Sequence, residues 1–437
     1  MGTRRERLTA RREVLGYTQE AFAHEVGVEP STVGRWERGA LSPQPWRRRK
    51  IATTLKVDLD QLAELLGEAV SASDAVEPAR SAPGARSLDT APMGRELLGA
   101  AAALAVGAVP PDLARWLPAD PVSAAPAPRR IGQSDVAQIR ELTALLWSLE
   151  QNHGGGAALD AASGALATAR SLLSVAEGMP VAEHARIAVA DLHCLVGWSL
   201  HDVGRHNEAS RHFMAALALG SEVGEAGMVA AALYRLGRVS LHVERPDDAL
   251  RAFQLGQIAA QDAGSYADLA RLHVSSGWAH ALKGQTRRME DSFSRAEHEL
   301  GRIDGDAPPW ASAFARSGDW DGVRAMAYMV LARRPEPEFR HYAADAATIA
   351  HRIISAPTTG RPARSSVFDR IILAAGKLHV GDVDAGIAEA DSALDLVASL
   401  RSVRAVDRLT DIERAARTLP RDAAGHLLAR IAELRAV

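Results

Sequence analysis

An internal repeat of 40 residues constrains the fold of this chain more than any other feature of its 437-residue sequence. Three stretches align without gaps at this shift, and each places a glycine, a bulky phenylalanine and small side chains at the same positions. Its columns are Gly197, Gly237 and Gly277; Phe213, Phe253 and Phe293; Ala209, Ala249 and Met289; and Ala216, Gly256 and Ala296. Because two helices approach closely only where a side chain is small, the pattern predicts stacked helix pairs.

The order of these columns resembles the tetratricopeptide repeat, in which W-x2-L-G-x2-Y is followed by A-x3-F. The sequence departs from that pattern at the Trp position (His193, Leu233 and His273) and at the Tyr position (Leu200, Ser240 and His280). The period of 40 also exceeds the usual value of about 34 residues. The resemblance implies an α-solenoid of divergent, lengthened repeats over residues 134–437.

Weaker helical pairs flank the three repeats. Residues 135–151 and 157–174 predict an opening hairpin, and the "HGGG" at 153–156 is interpreted as the hinge between its helices. Residues 366–397 repeat the glycine-turn pattern, and residues 422–435 predict a capping helix.

The rest of the sequence shows where the repeat pattern weakens and which secondary structure is expected. Residues 302–362 contain six prolines and fit the repeat poorly. Val, Ile and Thr form no sustained period-2 alternation, so strands are not expected. We therefore predict an all-α protein.

The first 66 residues predict a separate bundle of five short helices. The helical stretches are 4–15, 18–26, 31–39, 46–55 and 58–66. A Thr N-cap begins the second, and a short turn containing glycine separates it from the third, which is the helix-turn-helix plan.

This head is similar to the xenobiotic-response-element (lambda-repressor-like) helix-turn-helix family. The matching residues are Arg12, Gly16, Thr18, Gln19, Ala23, Gly27, Val28, Ser31, Thr32, Trp36, Glu37, Gly39, Pro43, Ala52, Leu55, Val57 and Leu62. Phe22 stands where the family usually has Leu. The resemblance implies that the third helix enters the major groove of double-stranded DNA.

The resemblance also implies which side chains contact DNA. At the N-terminal end of the third helix, the base-reading residues would be Pro30, Ser31, Thr32 and Arg35. Gln19 would bind phosphate and brace the helix, and further phosphate contacts would come from Arg38, Arg47 and Arg48. Val33 and Trp36 are expected on the inner face. The alternative is a bundle that keeps this fold without binding DNA.

Residues 67–133 predict a linker of low order, because they hold 9 of the 21 prolines together with many alanines and serines. The apolar run at 97–109 is 13 residues long. This is shorter than the roughly 20 residues that cross a membrane, so we expect a helix at 94–108 that docks on the protein. A membrane-surface role for it is the alternative. Residues 112–117 predict a further short helix.

The first helix of each repeat is expected to line a concave groove. Its aromatic and cationic side chains predict an effector-binding site for a peptide or an anionic small molecule. The candidate residues are Trp198, His201, Tyr234, Arg238, Arg271 and Trp278. Alternatively, these side chains pack against the linker or a partner subunit.

Composition limits the chemistry. The single cysteine, Cys194, excludes an internal disulfide and thiolate clusters, and fits a reducing cytoplasm. The N-terminus lacks the apolar region of a secretory signal. We find no P-loop, H-E-x-x-H, G-x-S-x-G or dinucleotide fingerprint, and therefore expect no catalytic residues, no metal and no cofactor. The chain is not expected to be an enzyme.

Charge is unevenly distributed. Residues 1–66 carry a net +3 and the remainder carries −6, as expected for a positive DNA-binding head on a negative body. A helix-turn-helix head joined to a repeat body resembles the architecture of quorum-sensing regulators that contain tetratricopeptide repeats. Actinobacterial developmental regulators share this architecture. The chain has only Asn152 and Asn207, fewer than the peptide-binding class uses.

The resulting hypothesis is a cytoplasmic, homodimeric transcriptional regulator that binds double-stranded DNA and an effector, with no membrane partner. The alternative is a protein-interaction scaffold whose head is incidental or docks protein.

Overall fold

The helical periodicity of the sequence is realised in the computed structural model. The structure describes residues 5–26, 28, 30–39, 43, 51–52, 54–57, 61–62, 65–66, 95–110, 113–118, 131–303, 319–356 and 361–436. Over these residues the secondary structure is helical and contains no strand, which confirms the all-α prediction. The chain divides into two compact units, Met1–Ala82 and Pro83–Val437.

The first unit begins with helices α1 (Glu6–Val14), α2 (Gln19–Val26) and α3 (Pro30–Glu37). The Thr18 hydroxyl accepts a hydrogen bond from the Ala21 amide at 3.1 Å and so caps α2, as its position predicts. Gly39 follows α3 with φ +68°, a left-handed conformation that ends the helix.

The core of the first unit is formed by side chains from every helical stretch. Phe22, at the position where the related family has Leu, is 2% exposed and lies edge-on to Tyr17 with the ring centres 6.0 Å apart. The fourth and fifth predicted helices lie largely outside the described residues. Those of their residues that are described include buried apolar side chains, namely Ile51, Ala52, Leu55, Leu62 and Leu66.

The predicted linker lies mostly outside the described residues, but its apolar run does form a helix. Helix α4 (Arg95–Ala105) buries Leu97, Leu98, Ala101 and Leu104 in the hydrophobic core of the second unit. It packs on the body helices α8 and α10, whose bounds follow, so the prediction of a docking helix is confirmed. A 3-10 turn at Leu113–Trp116 follows it.

The body is a series of helices in which most neighbours in sequence pack on one another. They are α5 (Gln133–His153), α6 (Gly155–Ala176), α7 (Ala182–Asp202), α8 (His206–Glu222), α9 (Ala226–His242), α10 (Pro246–Asp262), α11 (Tyr266–Leu282), α12 (Thr286–Leu300), α13 (Asp319–Ala332), α14 (His341–Ser355), α15 (Ala363–Val380), α16 (Val383–Ala398), α17 (Val403–Arg408), α18 (Thr410–Ala416) and α19 (Arg421–Ala436).

The 40-residue period has a direct structural cause. Helices α8 to α11 each have 17 residues, and three-residue links join α7 through α12 in turn. The middle residue of each link is left-handed, with φ between 54° and 84°. Glycine occupies four of these five positions and Glu244 the other. Two 17-residue helices and two links make one repeat, which is longer than the related pattern.

The glycine and phenylalanine columns meet inside each pair. A Cβ on Gly197 would lie 2.6 Å from the ring of Phe213, and Gly237 and Gly277 face Phe253 and Phe293 in the same way. All three rings are at most 3% exposed. The prediction that glycine allows the close approach and phenylalanine fills the remaining space is confirmed.

Residues 319–356, within the segment 302–362 whose sequence fits the repeat poorly, continue the helical array. Helices α13 and α14 pack on each other, and α13 also packs on α11. Pro337 begins a 3-10 turn in the link between α13 and α14, and Pro362 precedes α15. These prolines therefore mark links between helices, where the missing N–H is tolerated. Residues 304–318 lie outside the described part of the chain.

The two ends of the body meet at the "HGGG" turn. Gly154 has φ +89°, and the Gly156 amide donates to the Arg401 carbonyl at 2.9 Å. The Arg401 amide donates in turn to the His153 carbonyl at 2.9 Å. A Cβ on Gly154 would lie 2.6 Å from the Arg401 oxygen, so the turn needs glycine there. The hinge is also the point where the C-terminal segment docks.

Contacts between helices also join the C-terminal part of the body to its N-terminal part. Helix α15 packs on α5, and α17 packs on α7. The concave groove predicted from the sequence is therefore partly covered by C-terminal helices.

Candidate functional site

Helix α3 has one exposed face and one buried face. Ser31 and Arg35 are exposed, and as residues four apart they lie on the same side of the helix. Pro30 and Arg38 are also exposed, whereas Thr32 is half-buried. On the opposite side Val33 is 1% exposed and Trp36 is 3% exposed, as expected of structural residues.

Glu37 fixes this helix against the rest of the head. Its carboxylate accepts from Arg12 Nε at 2.7 Å and from Gln19 Nε2 at 2.6 Å. Arg12 and Glu37 are 5% and 6% exposed, so the ion pair is buried. Arg12 also donates to the Tyr17 carbonyl at 2.5 Å. The predicted phosphate residue Gln19 is thus a brace between α2 and α3, because its amide nitrogen binds Glu37.

Arg38 lies over the one residue of α3 that has no side chain. A Cβ on Gly34 would lie 3.1 Å from Arg38 Nη1 and 3.6 Å from Gln19 Oε1. The exposed surface of α3 therefore combines a hydroxyl with two guanidiniums, groups that bind base edges and phosphates. Arg47 and Arg48, the other predicted phosphate contacts, lie outside the described residues.

Comparison with known proteins places this head in a family. Residues 5–65 match the family described as "Helix-turn-helix domain". The chain belongs to the helix-turn-helix family. It is also similar to the uncharacterized HTH-type transcriptional regulator YazB of Bacillus subtilis (strain 168), with 39% identity over 57 residues that make up 13% of this chain and 83% of that protein. The family match lies at the N-terminus, where the sequence predicted a helix-turn-helix domain.

The body contains a second candidate site, a cavity of about 190 Å³. Five of the six predicted effector residues line it: Trp198, Tyr234, Arg238, Arg271 and Trp278. His201 does not line it. These five residues come from α7, α9 and α11, and the opposite wall comes from α13, α15 and α17.

Sequence reasoning missed the cationic half of this cavity. Arg361, Arg364, Arg404 and Arg408 line it from the C-terminal part of the body, and Phe368 lies among them. Their positions in the sequence lie outside the three 40-residue repeats. Only the closure of the array brings them to Trp198 and Trp278, so no pattern within one repeat could indicate them.

A buried ion network closes the floor of the cavity. Arg364 Nη2 donates to Glu150 at 3.0 Å, and Arg404 Nε donates to Asp202 at 2.9 Å. The amide of Gly155 also donates to Asp202, at 2.7 Å. Burial alone would raise the pKa of Asp202, but Arg364 and Arg404 hold it below its usual range.

Two more arginines of the cavity have carboxylate partners. Arg361 donates to Asp369 at 2.5 Å and to Asp319 at 3.2 Å, and Arg271 pairs with Asp268. Burial raises the pKa of Asp369 to about 6, although Arg361 opposes the shift. The guanidiniums of Arg361 and Arg271 thus each have a counter-charge within the protein.

The guanidiniums of Arg238 and Arg408 lie close to aromatic rings. The centre of the Arg238 guanidinium lies 5.0 Å from the Trp278 ring and 5.9 Å from the Trp198 ring. That of Arg408 lies 4.2 Å from Phe368 and 5.5 Å from Trp278. Such contacts stabilise a cation by about 0.5–2 kcal/mol, most where water is excluded.

His201 belongs instead to a buried histidine cluster. Its Nδ1 lies 3.0 Å from Nδ1 of His206, and both rings lie 5.2 Å from the ring of His242. Burial lowers the pKa of His201 well below its usual value, and that of His206 to about 4. The cluster is therefore uncharged at neutral pH. His206 and His242 line a neighbouring cavity of about 480 Å³ that shares Trp278, Met326 and Arg408 with the first.

Cys194 is buried, and burial raises the pKa of its thiol to about 11, so it stays protonated at neutral pH. Across the described ranges, no group of three or more His, Cys, Asp or Glu side chains is arranged to hold a metal ion. No helix within those ranges is both long and apolar enough to cross a membrane.

Proposed function

We propose that the protein is a DNA-binding transcriptional regulator in which α3 reads base edges and the helical body senses an effector. The observation that carries the first part is the geometry of α3 within a matched helix-turn-helix domain. Ser31 and Arg35 project from the helix while the buried Glu37 ties its far end to Arg12 and Gln19. A rigidly held helix presents its side chains to the groove with less loss of conformational entropy.

The residues on this surface have different roles in the proposal. Arg35 forks onto the O6 and N7 acceptors of guanine, and the Ser31 hydroxyl bonds a neighbouring base. Arg38 contacts phosphate, and Gln19 positions α3 through Glu37. The net +3 of residues 1–66 attracts the DNA backbone.

The test of DNA binding uses the full chain. Fragments are selected from the genomic DNA of the native host, and affinity is titrated on the best fragment and on its scrambled version at several salt concentrations. We expect the protein to bind the selected fragment more tightly than the scrambled one. The logarithm of the affinity should fall linearly with the logarithm of the salt concentration, with a slope that corresponds to several phosphate contacts. Equal affinity for both DNAs, or capture of a protein partner without DNA, contradicts the proposal.

The body, residues 134–437, is proposed to be a divergent tetratricopeptide-like solenoid that acts as the sensor. The packing of Gly237 against Phe253, repeated twice in the array, supports this relationship. The cavity supports the sensor role because its walls come from helices at both ends of the closed array. A ligand that contacts α9 and α17 together fixes their separation, and this couples binding to the curvature of the array.

Dimerisation completes the proposal. One recognition helix offers few base contacts, whereas two heads on half-sites about 34 Å apart double them. Sedimentation of the full chain on a single selected DNA site tests this directly. We expect two chains per site, and one chain per site contradicts the homodimer.

In this proposal the protein acts in the cytoplasm and catalyses no reaction. The segment 67–133 joins the head to the body, where α4 packs on α8 and α10. A buried, protonated Cys194 offers no nucleophile, which supports the assignment of a binding function to the body.

A further inference from the structure

Three guanidiniums of the cavity form no ion pair with a carboxylate among the described residues. That of Arg235 donates to the Ala231 carbonyl at 3.0 Å, whereas those of Arg238 and Arg408 lie beside the Trp278 ring. Arg238 donates to the Tyr234 hydroxyl at 2.7 Å, a neutral partner. Arg408 contacts the rings of Phe368 and Trp278. Among the described residues, neither side chain forms an ion pair or a hydrogen bond with an acid. Arg364, Arg404, Arg361 and Arg271 all do.

Unsatisfied donors accompany this unbalanced charge. Nε of Arg408 and Nε1 of Trp278 are buried, and neither has a hydrogen-bond partner within the described structure. Trp278 as a whole is 6% exposed. Buried donors without acceptors are costly, and a buried charge without a counter-charge is costlier still.

The charges nearby do not relieve Arg408. Burial, followed by repulsion from Arg404 and Arg238, lowers the pKa of its guanidinium well below the usual range. Asp411 opposes this shift, but both of its oxygens are held by Arg333, at 2.7 and 2.9 Å. Asp369, which also interacts with Arg408 electrostatically, is paired with Arg361. The acids near Arg408 are therefore each bound to another arginine.

We propose that this cavity binds a small organic anion, whose oxyanion group is held by Arg238, Arg408 and the indole N–H of Trp278. The inference rests on the proposed sensor function and specifies its ligand. A carboxylate or a phosphate supplies the acceptor oxygens and the counter-charge together.

The walls select an organic rather than an inorganic anion. Trp147, Trp198 and Phe368 provide flat apolar surface next to the charged centre. Pockets with a few placed polar groups in an apolar lining are typical of small-molecule sites. At about 190 Å³ the cavity is smaller than the roughly 300–1,000 Å³ of drug-sized pockets, which favours a compact ligand over a peptide.

Thermal unfolding of the full-length protein tests this inference. The probes are benzoate, indole-3-acetate and phenyl phosphate, each at millimolar concentration, with benzamide as the neutral match of benzoate and inorganic phosphate as the match without a ring. We expect at least one aromatic anion to raise Tm by several degrees, while benzamide and inorganic phosphate do not. Carboxylate and phosphate probes separate the two oxyanion sources.

Variants locate the effect. Arg408→Gln and Arg238→Gln should each abolish the anion-dependent shift, and Arg287→Gln, at an exposed position on α12, should retain it. Without ligand, Arg408→Gln should unfold at a temperature no lower than the wild type, because it removes an uncompensated buried charge.

Three results overturn the inference: no shift from any aromatic anion, equal shifts from benzoate and benzamide, or anion shifts that persist in both variants. DNA titration on the same preparations is read separately. Retained DNA binding without anion binding rejects the ligand assignment alone, whereas anion binding without DNA binding rejects the proposed regulator.

Discussion

The guanidinium of Arg404 lies 2.9 Å from the carboxylate of Asp202 and joins positions 202 residues apart. Asp202 also accepts from the amide of Gly155 and lies 3.5 Å from Arg364 Nη1. One carboxylate thus connects α7, the "HGGG" turn, α15 and α17. The closure of the body, and with it the cavity, depends on this buried group.

Replacing this carboxylate should destabilise the body strongly. Asp202→Asn leaves the buried Arg404 without its ion-pair partner, and removal of one partner from a buried pair costs about 3–5 kcal/mol. Urea unfolding measures the change. Asp262→Asn, at an exposed position on α10, is the matched control and should change stability by less than about 0.5 kcal/mol. Equal effects of the two substitutions would contradict the role assigned to the closure.

The repeat glycines should tolerate no added methyl group. Gly237→Ala places a Cβ against the Phe253 ring, and such overpacking costs about 1–3 kcal/mol. Gly164→Ala is the control, because a Cβ there meets no atom within 4 Å. It should instead stabilise α6 by roughly 0.5–1 kcal/mol through helix propensity. Denaturant midpoints that move in the same direction for both variants would reject this packing.

The link between α9 and α10 should be improved by glycine. Glu244 has φ +54°, whereas the corresponding link residues, among them Gly204 and Gly264, are glycine. A non-glycine residue in the left-handed region costs about 1–2 kcal/mol. Glu244→Gly should therefore raise the unfolding free energy by roughly 1 kcal/mol, measured by urea titration. A loss of stability would show that the side chain matters more than the backbone conformation.

Acidification should destabilise the body through its buried histidines. Burial lowers the pKa of His206 and of His212 from 6.5 to about 4, so between these values the unfolded chain binds protons that the folded chain does not. The contribution of these two neutral histidines to the free energy of unfolding is therefore complete above pH 6.5 and is lost as the pH falls towards 4. Two such groups give a slope of up to about 2.7 kcal/mol per pH unit. Asp369, whose pKa burial raises to about 6, acts in the opposite direction.

Unfolding free energies between pH 7 and pH 5 measure this slope. The double variant His206→Gln and His212→Gln should show a smaller pH dependence than the wild type. If the two proteins show the same slope, the histidines are not its source.

Local features of the fold were predictable from the sequence, and contacts between distant segments were not. The Gly237 and Phe253 columns indicated helix pairs because both residues act within one repeat. The "HGGG" segment was correctly interpreted as a hinge, but nothing in it identified Arg401 as the backbone that it approaches. The proline-containing segment 302–362 fitted the repeat poorly because its helices follow links of different length.

In the candidate sites too, residues within one repeat were predictable and residues from distant segments were not. The groove-facing positions of three repeats predicted Trp198, Tyr234 and Trp278, which share one cavity. His201 occupies an equivalent position in the pattern but packs against His206. Arg404 and Arg408 were missed because they reach the cavity only through the closure of the body. At the head, the family resemblance implied that Gln19 braces the third helix but did not identify Glu37 as its partner.

The most direct test of the account is the base specificity of Arg35. Affinity is measured for the full-length wild type, for Arg35→Ala and for the charge-matched control Arg287→Ala on the best genomic site, on single-base variants of that site and on scrambled DNA. We predict that Arg35→Ala weakens binding to the best site by about 1–3 kcal/mol and relaxes the preference at one base position, while the control does neither. Equal binding to cognate and scrambled DNA, before and after the Arg35 substitution, would contradict direct readout by α3.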